Sequence, residues 1–262
     1  MASINVVVSG AKGRMGQEVL AALCREPEMT PVAGADLLGG DLLPLPDGSG
    51  SILISSNLGE VLDGADVVVD FTNAEGALSA IRTAAPRKVN VVVGSTGISQ
   101  EGYAEAAALA GEHGTGIIIA PNFALGAVVM IHLAKQAARF FDYADLTEMH
   151  HEAKIDAPSG TAIAIAAAAV EGKGGRFVAP AAEKEIIAGT RGGTSSGVTI
   201  HSARMPGRVA HHEMVFGALG QTLTIRHDSV NRESFMPGVM MAVRAVGNRP
   251  GLTVGLDKIL GI

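Results

Sequence analysis

Cysteine is nearly missing from this chain of 262 residues, Cys24 being the only one. An intramolecular disulfide framework is therefore excluded, and the thiol reads as a core residue of a protein kept in a reducing compartment. Tryptophan is absent and aromatics make up 3% of residues, too few for the stacking platforms that bind bases or sugars. With 20 Lys and Arg against 26 Asp and Glu, the net charge is −6, so there is no basic footprint for nucleic acid. No apolar run reaches spanning length, and the first residues lack the basic start and cleavage site of a signal peptide. These two absences predict a cytoplasmic protein without a membrane partner. What the chain does have is 47% hydrophobic and 18% charged residues, enough core for one large domain or two modest ones.

The opening residues are the first positive signal. Residues 4–9 form a short Val-rich apolar run, followed by Gly10-Ala11-Lys12-Gly13-Arg14-Met15-Gly16 and a helical pattern through Leu23. Strand, glycine turn and helix make the phosphate-binding opening of a Rossmann unit, although Gly-x-x-Gly-x-x-Gly departs from the standard fingerprint. Asp36 strengthens the assignment, because it ends the next apolar segment (32–35) at the distance expected of a ribose-binding acid. A carboxylate there, followed by Leu37 rather than an arginine, favours NADH over NADPH, and Lys12 and Arg14 soften that preference. The rival reading of Asp36 is a plain turn acid before Leu37-Leu38-Gly39-Gly40.

The first half then alternates. After a loop at 41–50, short apolar strands are predicted at 52–54, 67–71, 89–93 and 117–120, with helices at 75–85 and 100–113 between them. This rhythm specifies a parallel sheet covered on both faces. Small or polar residues stand at three of the strand ends: Asp70-Phe71-Thr72, Gly94-Ser95-Thr96-Gly97 and Pro121-Asn122-Phe123. Ligands bind at such carboxyl ends.

Past Asn122 the pattern changes. A helix is expected at 129–141 and a strand at 144–149, then the run His150-His151-Glu152-Ala153-Lys154-Ile155-Asp156-Ala157-Pro158-Ser159-Gly160-Thr161 before an Ala-rich helix at 162–170. Ser159 is a good N-cap, and with no capping-box glutamate the backbone donors at Gly160 and Thr161 are expected to stay free for a carboxylate or phosphate. Lys154 adds a positive charge, and an imidazole can exchange a proton near neutral pH. Successive strand residues face opposite ways, so His150 and His151 do not share one job. Each residue alone has an ordinary structural reading; a dozen together point to proton transfer beside an anion site. Arg204 is a candidate for a second substrate carboxylate, with a surface ion pair as its alternative.

Residues 172–193 read as a Gly-rich connection, and 198–204, 211–216 and 222–227 as antiparallel strands of a second, α+β domain. Residues 232–244 form a helix with a methionine face (Met236, Met240, Met241) that docks back on the first domain. Ligand groups divided in this way imply a cleft that closes on binding. Two rival readings come from other classes of protein. A metallohydrolase would draw on His150, His151 and Glu152 with His211, His212 and Glu213, but neither cluster has the spacing of helical zinc motifs, so no metal is expected. A nucleotide-sensing protein would need the glycine loop but not Lys154 beside two imidazoles.

Taken in order, GAKGRMG, DFT, GSTG, APNFALGA, HHEAKIDAPSGTA and NRESFMPGV resemble the dihydrodipicolinate reductase family, also called 4-hydroxy-tetrahydrodipicolinate reductases, over essentially the whole chain. The resemblance implies NAD(P)H-dependent reduction of a cyclic unsaturated imine dicarboxylate in the diaminopimelate route to lysine. It leaves open whether the hydroxylated or the dehydrated ring is reduced. It implies His150 as acid/base residue, Lys154 as proton donor, His151 as a substrate contact, and Ser159, Gly160 and Thr161 as a carboxylate site. Cofactor contacts would be Gly10, Ala11, Lys12, Gly13, Arg14, Met15, Asp36, Gly94, Ser95, Thr96, Ala120, Pro121, Asn122 and Phe123. Ser95 stands where many members have threonine, a change that keeps the hydroxyl. The expected fold is α/β: a Rossmann dinucleotide-binding domain at 1–123, a substrate-binding and oligomerisation domain on a mixed or antiparallel sheet at 124–230, and a segment at 231–262 that returns to the first domain. A homotetramer formed through the second sheet is implied as well.

Overall fold

The computed structural model describes residues 3–195 and 197–262. β1 (Ile4–Ser9) leads through the glycine turn into α1 (Arg14–Arg25), and β2 (Met29–Ala35), β3 (Asp41–Pro44), β4 (Ser51–Ser55), β5 (Val67–Asp70), α2 (Ala74–Ala84), β6 (Asn90–Val93), α3 (Gln100–His113) and β7 (Gly116–Ile119) follow. Val and Ile fill β5, β6 and β7 without alternation because both faces of these strands are covered. On one face Val7, Val68, Val91, Val93, Ile117 and Ile119 pack with the alanines of α2 and α3. Asn73 and Ser99 cap those helices by accepting from the N–H groups of Gly76 and Gly102.

The second unit spans Ala124–Asn231. It consists of α4 (Leu125–Ala138), β8 (Tyr143–His150), α5 (Gly160–Lys173), β9 (Gly193–Ser195), β10 (Val198–Arg204), β11 (Ala210–Ala218) and β12 (Gln221–Ser229). Its sheet has the order β12-β11-β8-β10-β9. The pairing corrects one expectation: β10 lies parallel to β8, while β11 is antiparallel to both β8 and β12. The reason is the connection, since α5 carries the chain from the end of β8 back to the start of the sheet, as a crossover must for parallel neighbours. α4 and α5 bury Met130, Ala134, Ile165 and Ala169 against Leu146, Ile200, Met214 and Phe216. The two helices come very close at Gly172, where a Cβ would stand 1.9 Å from the Lys135 carbonyl oxygen.

The chain then rejoins the first unit, which comprises Met1–Phe123 and Arg232–Ile262. α6 (Met236–Val246) packs on α1, β6 and β7, and β13 (Gly251–Val254) pairs with β7 before the short α7 (Asp257–Leu260). Met236 and Met240 are buried there, as the methionine face requires. The completed sheet has eight strands in the order β13-β7-β6-β5-β1-β2-β4-β3. Two of its strands were not expected. Residues 41–44, expected as loop, pair antiparallel with β4 at the sheet edge, where Pro44 can be accommodated. Residues 251–254 form the opposite edge.

Strand order turns at β1, with β2 on one side and β5 on the other. That switch point places the ends of β1 and β5 around a crevice. The turn after β1 tolerates no bulk beneath α1: a Cβ on Gly16 would lie 2.1 Å from the Gly10 carbonyl oxygen and 2.8 Å from the Ala11 Cα. Backbone cannot yield as a flexible side chain does. Gly16→Ala should therefore cost about 1–3 kcal/mol through overpacking, seen as a lower Tm together with weaker dinucleotide binding in a titration. An unchanged Tm would show that α1 is not held by this contact.

Candidate active site

In the first unit the carboxyl ends of β1, β2, β5, β6 and β7 carry the predicted cofactor residues. Gly10 has φ of +79°, and a Cβ there would meet Thr72 Cγ2 at 3.0 Å. Its N–H and that of Ala11 donate to the Ala35 carbonyl, tying the turn to the end of β2. Gly13 is the N-cap of α1 and no side chain caps that helix, which leaves its positive end to the loop itself. Arg14 is exposed and Met15 half-buried. Asp36 accepts the Lys12 N–H at 2.9 Å through one carboxylate oxygen. The Lys12 ammonium pairs with Asp41 at 2.9 Å and with the Leu38 carbonyl, at the β3 edge. A turn without side-chain bulk, a helix start and an adjacent acid fit a dinucleotide.

Asp70, at the end of β5, is fully buried and accepts from Ser95 Oγ at 2.8 Å and from the Thr72 hydroxyl and N–H. Ser95 is thus locked inward while Thr96 is exposed. Gly94 lies against the Phe71 ring, where a Cβ would come within 2.1 Å. That ring in turn meets Phe123, with centroids 5.9 Å apart. Ala120 and Phe123 are buried, Pro121 is exposed and Asn122 half-buried.

In the second unit the end of β8 is the centre. His150 is buried and His151 exposed, the divergence that strand geometry demands. Glu148, two residues earlier on the same face, has no exposed surface. Its Oε2 lies 2.5 Å from His150 Nδ1, and its Oε1 accepts from Arg204 at 2.7 Å. Burial pushes the Glu148 carboxyl upward, but Arg204, Ser202 and His150 outweigh it and hold it below the ordinary value. Burial lowers His150, and the Glu148 hydrogen bond and charge oppose that lowering. Arg204 also donates to the Asp156 carbonyl at 2.7 Å. It is an internal brace for the loop that follows β8, and its pair with Glu148 is buried, not a surface ion pair.

Lys154 donates to Asp156 Oδ1 at 2.5 Å. That contact, ahead of a smaller one from the Gly160 N–H, keeps the Asp156 carboxyl below its usual range. Gly160 therefore has an intramolecular acceptor nearby, and Thr161 is engaged as well. The expectation of an idle donor at Gly160 is corrected: the start of α5 already faces a carboxylate of its own chain. Ser159 is buried, accepts from the Ala162 N–H and meets His212 Nε2 at 3.2 Å. His212 stands edge-on to His150, with centroids 5.4 Å apart, and burial followed by the His150 charge lowers it to about 4.

Sequence reasoning placed His150, Lys154 and Ser159 together but overlooked Glu148, whose signal was its i, i+2 spacing from His150 on a strand. It also treated His212 as part of a separate cluster. Ligand atoms of Glu148, His150 and His212 lie within 4.8 Å of one another, near enough to hold an ion. Both Glu148 oxygens, however, are already engaged by Arg204 and His150. Glu148 and His150 are a hydrogen-bonded pair braced by Arg204, and His212 joins them through the edge-on contact of its ring with His150.

Fold and site together define a protein with a Rossmann-type dinucleotide-binding unit and a second, mixed-sheet unit that carries buried acid–base groups. The family model "Dihydrodipicolinate reductase, N-terminus" matches residues 4–123, and "Dihydrodipicolinate reductase, C-terminus" matches 126–260. A 4-hydroxy-tetrahydrodipicolinate reductase of Dehalococcoides mccartyi is 50% identical over 99% of both chains, and that of Cutibacterium acnes 45% identical over 99% of both. Among solved structures, a dipicolinate-bound dihydrodipicolinate reductase from Paenisporosarcina sp. TG-14 superposes with TM-score 0.87 at 35% identity, over 98% of this chain and 99% of that one. An amine dehydrogenase from Mycobacterium smegmatis, at 18% identity and TM-score 0.67 over 98% of this chain and 96% of its own, shares the fold. The chain belongs to the dihydrodipicolinate reductase family.

The buried imidazoles make stability pH-dependent. His212 takes up a proton at about 4 when folded, against 6.5 as the ordinary value, so the unfolded chain binds that proton first. Its contribution is complete above pH 6.5 and is lost as pH falls toward 4, about 3 kcal/mol in all. Thermal unfolding at pH 7 and pH 4.5 should show a smaller acid-induced drop in Tm for His212→Gln than for wild type. Equal drops would place the acid sensitivity elsewhere.

Proposed function

We propose that the chain reduces 4-hydroxy-tetrahydrodipicolinate, as its dehydrated ring, to tetrahydrodipicolinate with NAD(P)H, in the diaminopimelate route to lysine. The observation that carries this reading is the segment 150–161, with buried His150, Lys154 and the start of α5 in one loop, in a chain matched end to end by reductases of that name. Bound NAD(P)H supplies a hydride for the ring carbon conjugated with the C=N bond. Electron density then moves to the imine nitrogen, and a proton donor there meets charge that develops only in the transition state.

Lys154 is the donor in this reading. Its ammonium must leave Asp156 to reach substrate, and an incoming carboxylate competes for that same ammonium and for the helix start at Gly160 and Thr161. Ser159 contributes from below by capping α5 and bonding His212. His150 serves as the acid/base group, and the exposed His151 contacts the dicarboxylate. Gly10, Ala11, Lys12, Gly13, Arg14 and Met15 cradle the pyrophosphate, Asp36 takes the adenosine ribose, and residues 94–96 and 120–123 border the nicotinamide end. We further infer a homotetramer through the β8–β12 sheet, whose Tyr143 and Leu223 are exposed, and a cytoplasmic location in keeping with the biosynthetic role. Light scattering of the purified chain tests the tetramer, and a monomer would refute it.

Lys154→Ala should lower kcat by ~10²–10⁴-fold, the scale of a lost general acid, with NADH affinity unchanged. Near wild-type turnover, or a parallel loss of NADH binding, would remove Lys154 from catalysis. With Leu37 rather than an arginine following Asp36, NADH should be used at least as efficiently as NADPH, and Asp36→Ala should weaken NADH selectively. A wild-type kcat/KM far higher with NADPH would sink that preference.

A further inference from the structure

Glu148 is a buried carboxylate that no step above uses. Carboxylates are rarely left without solvent unless fully paired, and this one spends one oxygen on Arg204 and the other on His150. We propose that Glu148 is the positioning residue of the reaction: it fixes the proton of His150 on Nδ1, so that Nε2 is the nitrogen presented for proton exchange, and Arg204 holds the carboxylate in place. This rests on the assignment of His150 as the acid/base residue.

The geometry follows from the strand. Residues 148 and 150 share a face of β8, so their side chains meet without any loop adjustment. β10 is registered so that Arg204 is the partner of His150 and Ser202 of Glu148. The parallel pairing of β8 and β10 therefore delivers both of the other donors to the same carboxylate. An ionised carboxylate only accepts, so the nitrogen facing it must carry the proton. No tautomer choice remains at Nδ1. Removing the charge alone, with the shape kept, tests orientation separately from packing.

Around His150 stand Glu148 on β8, Lys154 on the following loop, Arg204 on β10 and His212 on β11. Glu148 is the one negative group of the four and opposes the lowering of His150 by burial, Lys154 and Arg204. In Glu148→Gln the pH-profile limb that belongs to His150 must then move to lower pH, with kcat down roughly tenfold or more and KM for the dicarboxylate little changed. Glu148→Asp, which keeps the charge at a shorter reach, should restore the position of the limb if not the full rate.

The experiment combines kcat and kcat/KM against pH for wild type, Glu148→Gln, Glu148→Asp and His150→Ala with long-range ¹H–¹⁵N NMR of the imidazoles. Wild-type His150 is expected to show its proton on Nδ1, and Glu148→Gln is expected to lose that fixed state while binding NADH normally. A wild-type His150 protonated on Nε2 alone would overturn the proposal without recourse to any variant, folded or not. So would a Glu148→Gln enzyme with the wild-type rate and pH profile beside an inactive His150→Ala. If His150→Ala itself turns over normally, the assignment of His150 fails, whatever its tautomer.

Discussion

A carboxylate without solvent must be paired at every oxygen, and Glu148 is the place where this chain meets that requirement. The strand supplies His150, the parallel neighbour supplies Arg204 and Ser202, and Arg204 reaches on to the Asp156 carbonyl. The loop that bears Lys154 is thus tethered to the same charge that orients His150. Replacing one partner leaves a buried ion unmatched, which costs more than the hydrogen bond alone. His150 and the loop that bears Lys154 therefore share one support, and neither can shift far without the other.

The first unit repeats the device with another acid. Asp70, also without exposed surface, gathers the Thr72 and Ser95 hydroxyls at the ends of β5 and β6. Because both hydroxyls donate to it, their remaining lone pairs act as acceptors. Steric closeness does the rest: Gly94 is required by the Phe71 ring, and Gly10 by its left-handed backbone and by Thr72. A conformational constraint on the backbone and a buried charge are two ways of making a loop rigid without adding residues to it.

How far this could be read in advance depended on the range of the interactions involved. Strands buried on both faces announce themselves in continuous Val and Ile, so β1, β5, β6 and β7 were legible within a residue or two. The Ser159 cap was legible too, because capping is a matter of four adjacent residues. The edge strands β3 and β13 were not: residues 41–44 carry a proline and residues 251–254 begin with a glycine, and only pairing with a distant neighbour makes them strands. Nor could sequence show that β10 runs parallel to β8, which brings Arg204 to Glu148. The intramolecular partners of Lys12 and Arg204, Asp41 and Glu148, likewise lie too far away in sequence for local pattern to reach.

Three histidines near one loop illustrate how environment divides labour. His151 is exposed, His150 is buried beside a carboxylate, and His212 is buried beside a serine hydroxyl and another imidazole. Burial first and the His150 charge second hold His212 neutral down to about 4, with its Nε2 against the Ser159 hydroxyl. His150 meets the same low-dielectric surroundings, but the hydrogen bond and charge of Glu148 oppose the lowering that burial imposes. Groups of one chemical type whose surroundings push them apart are how a site sets up proton transfer in a fixed direction. Here the difference is made by a single residue, two positions back along the strand.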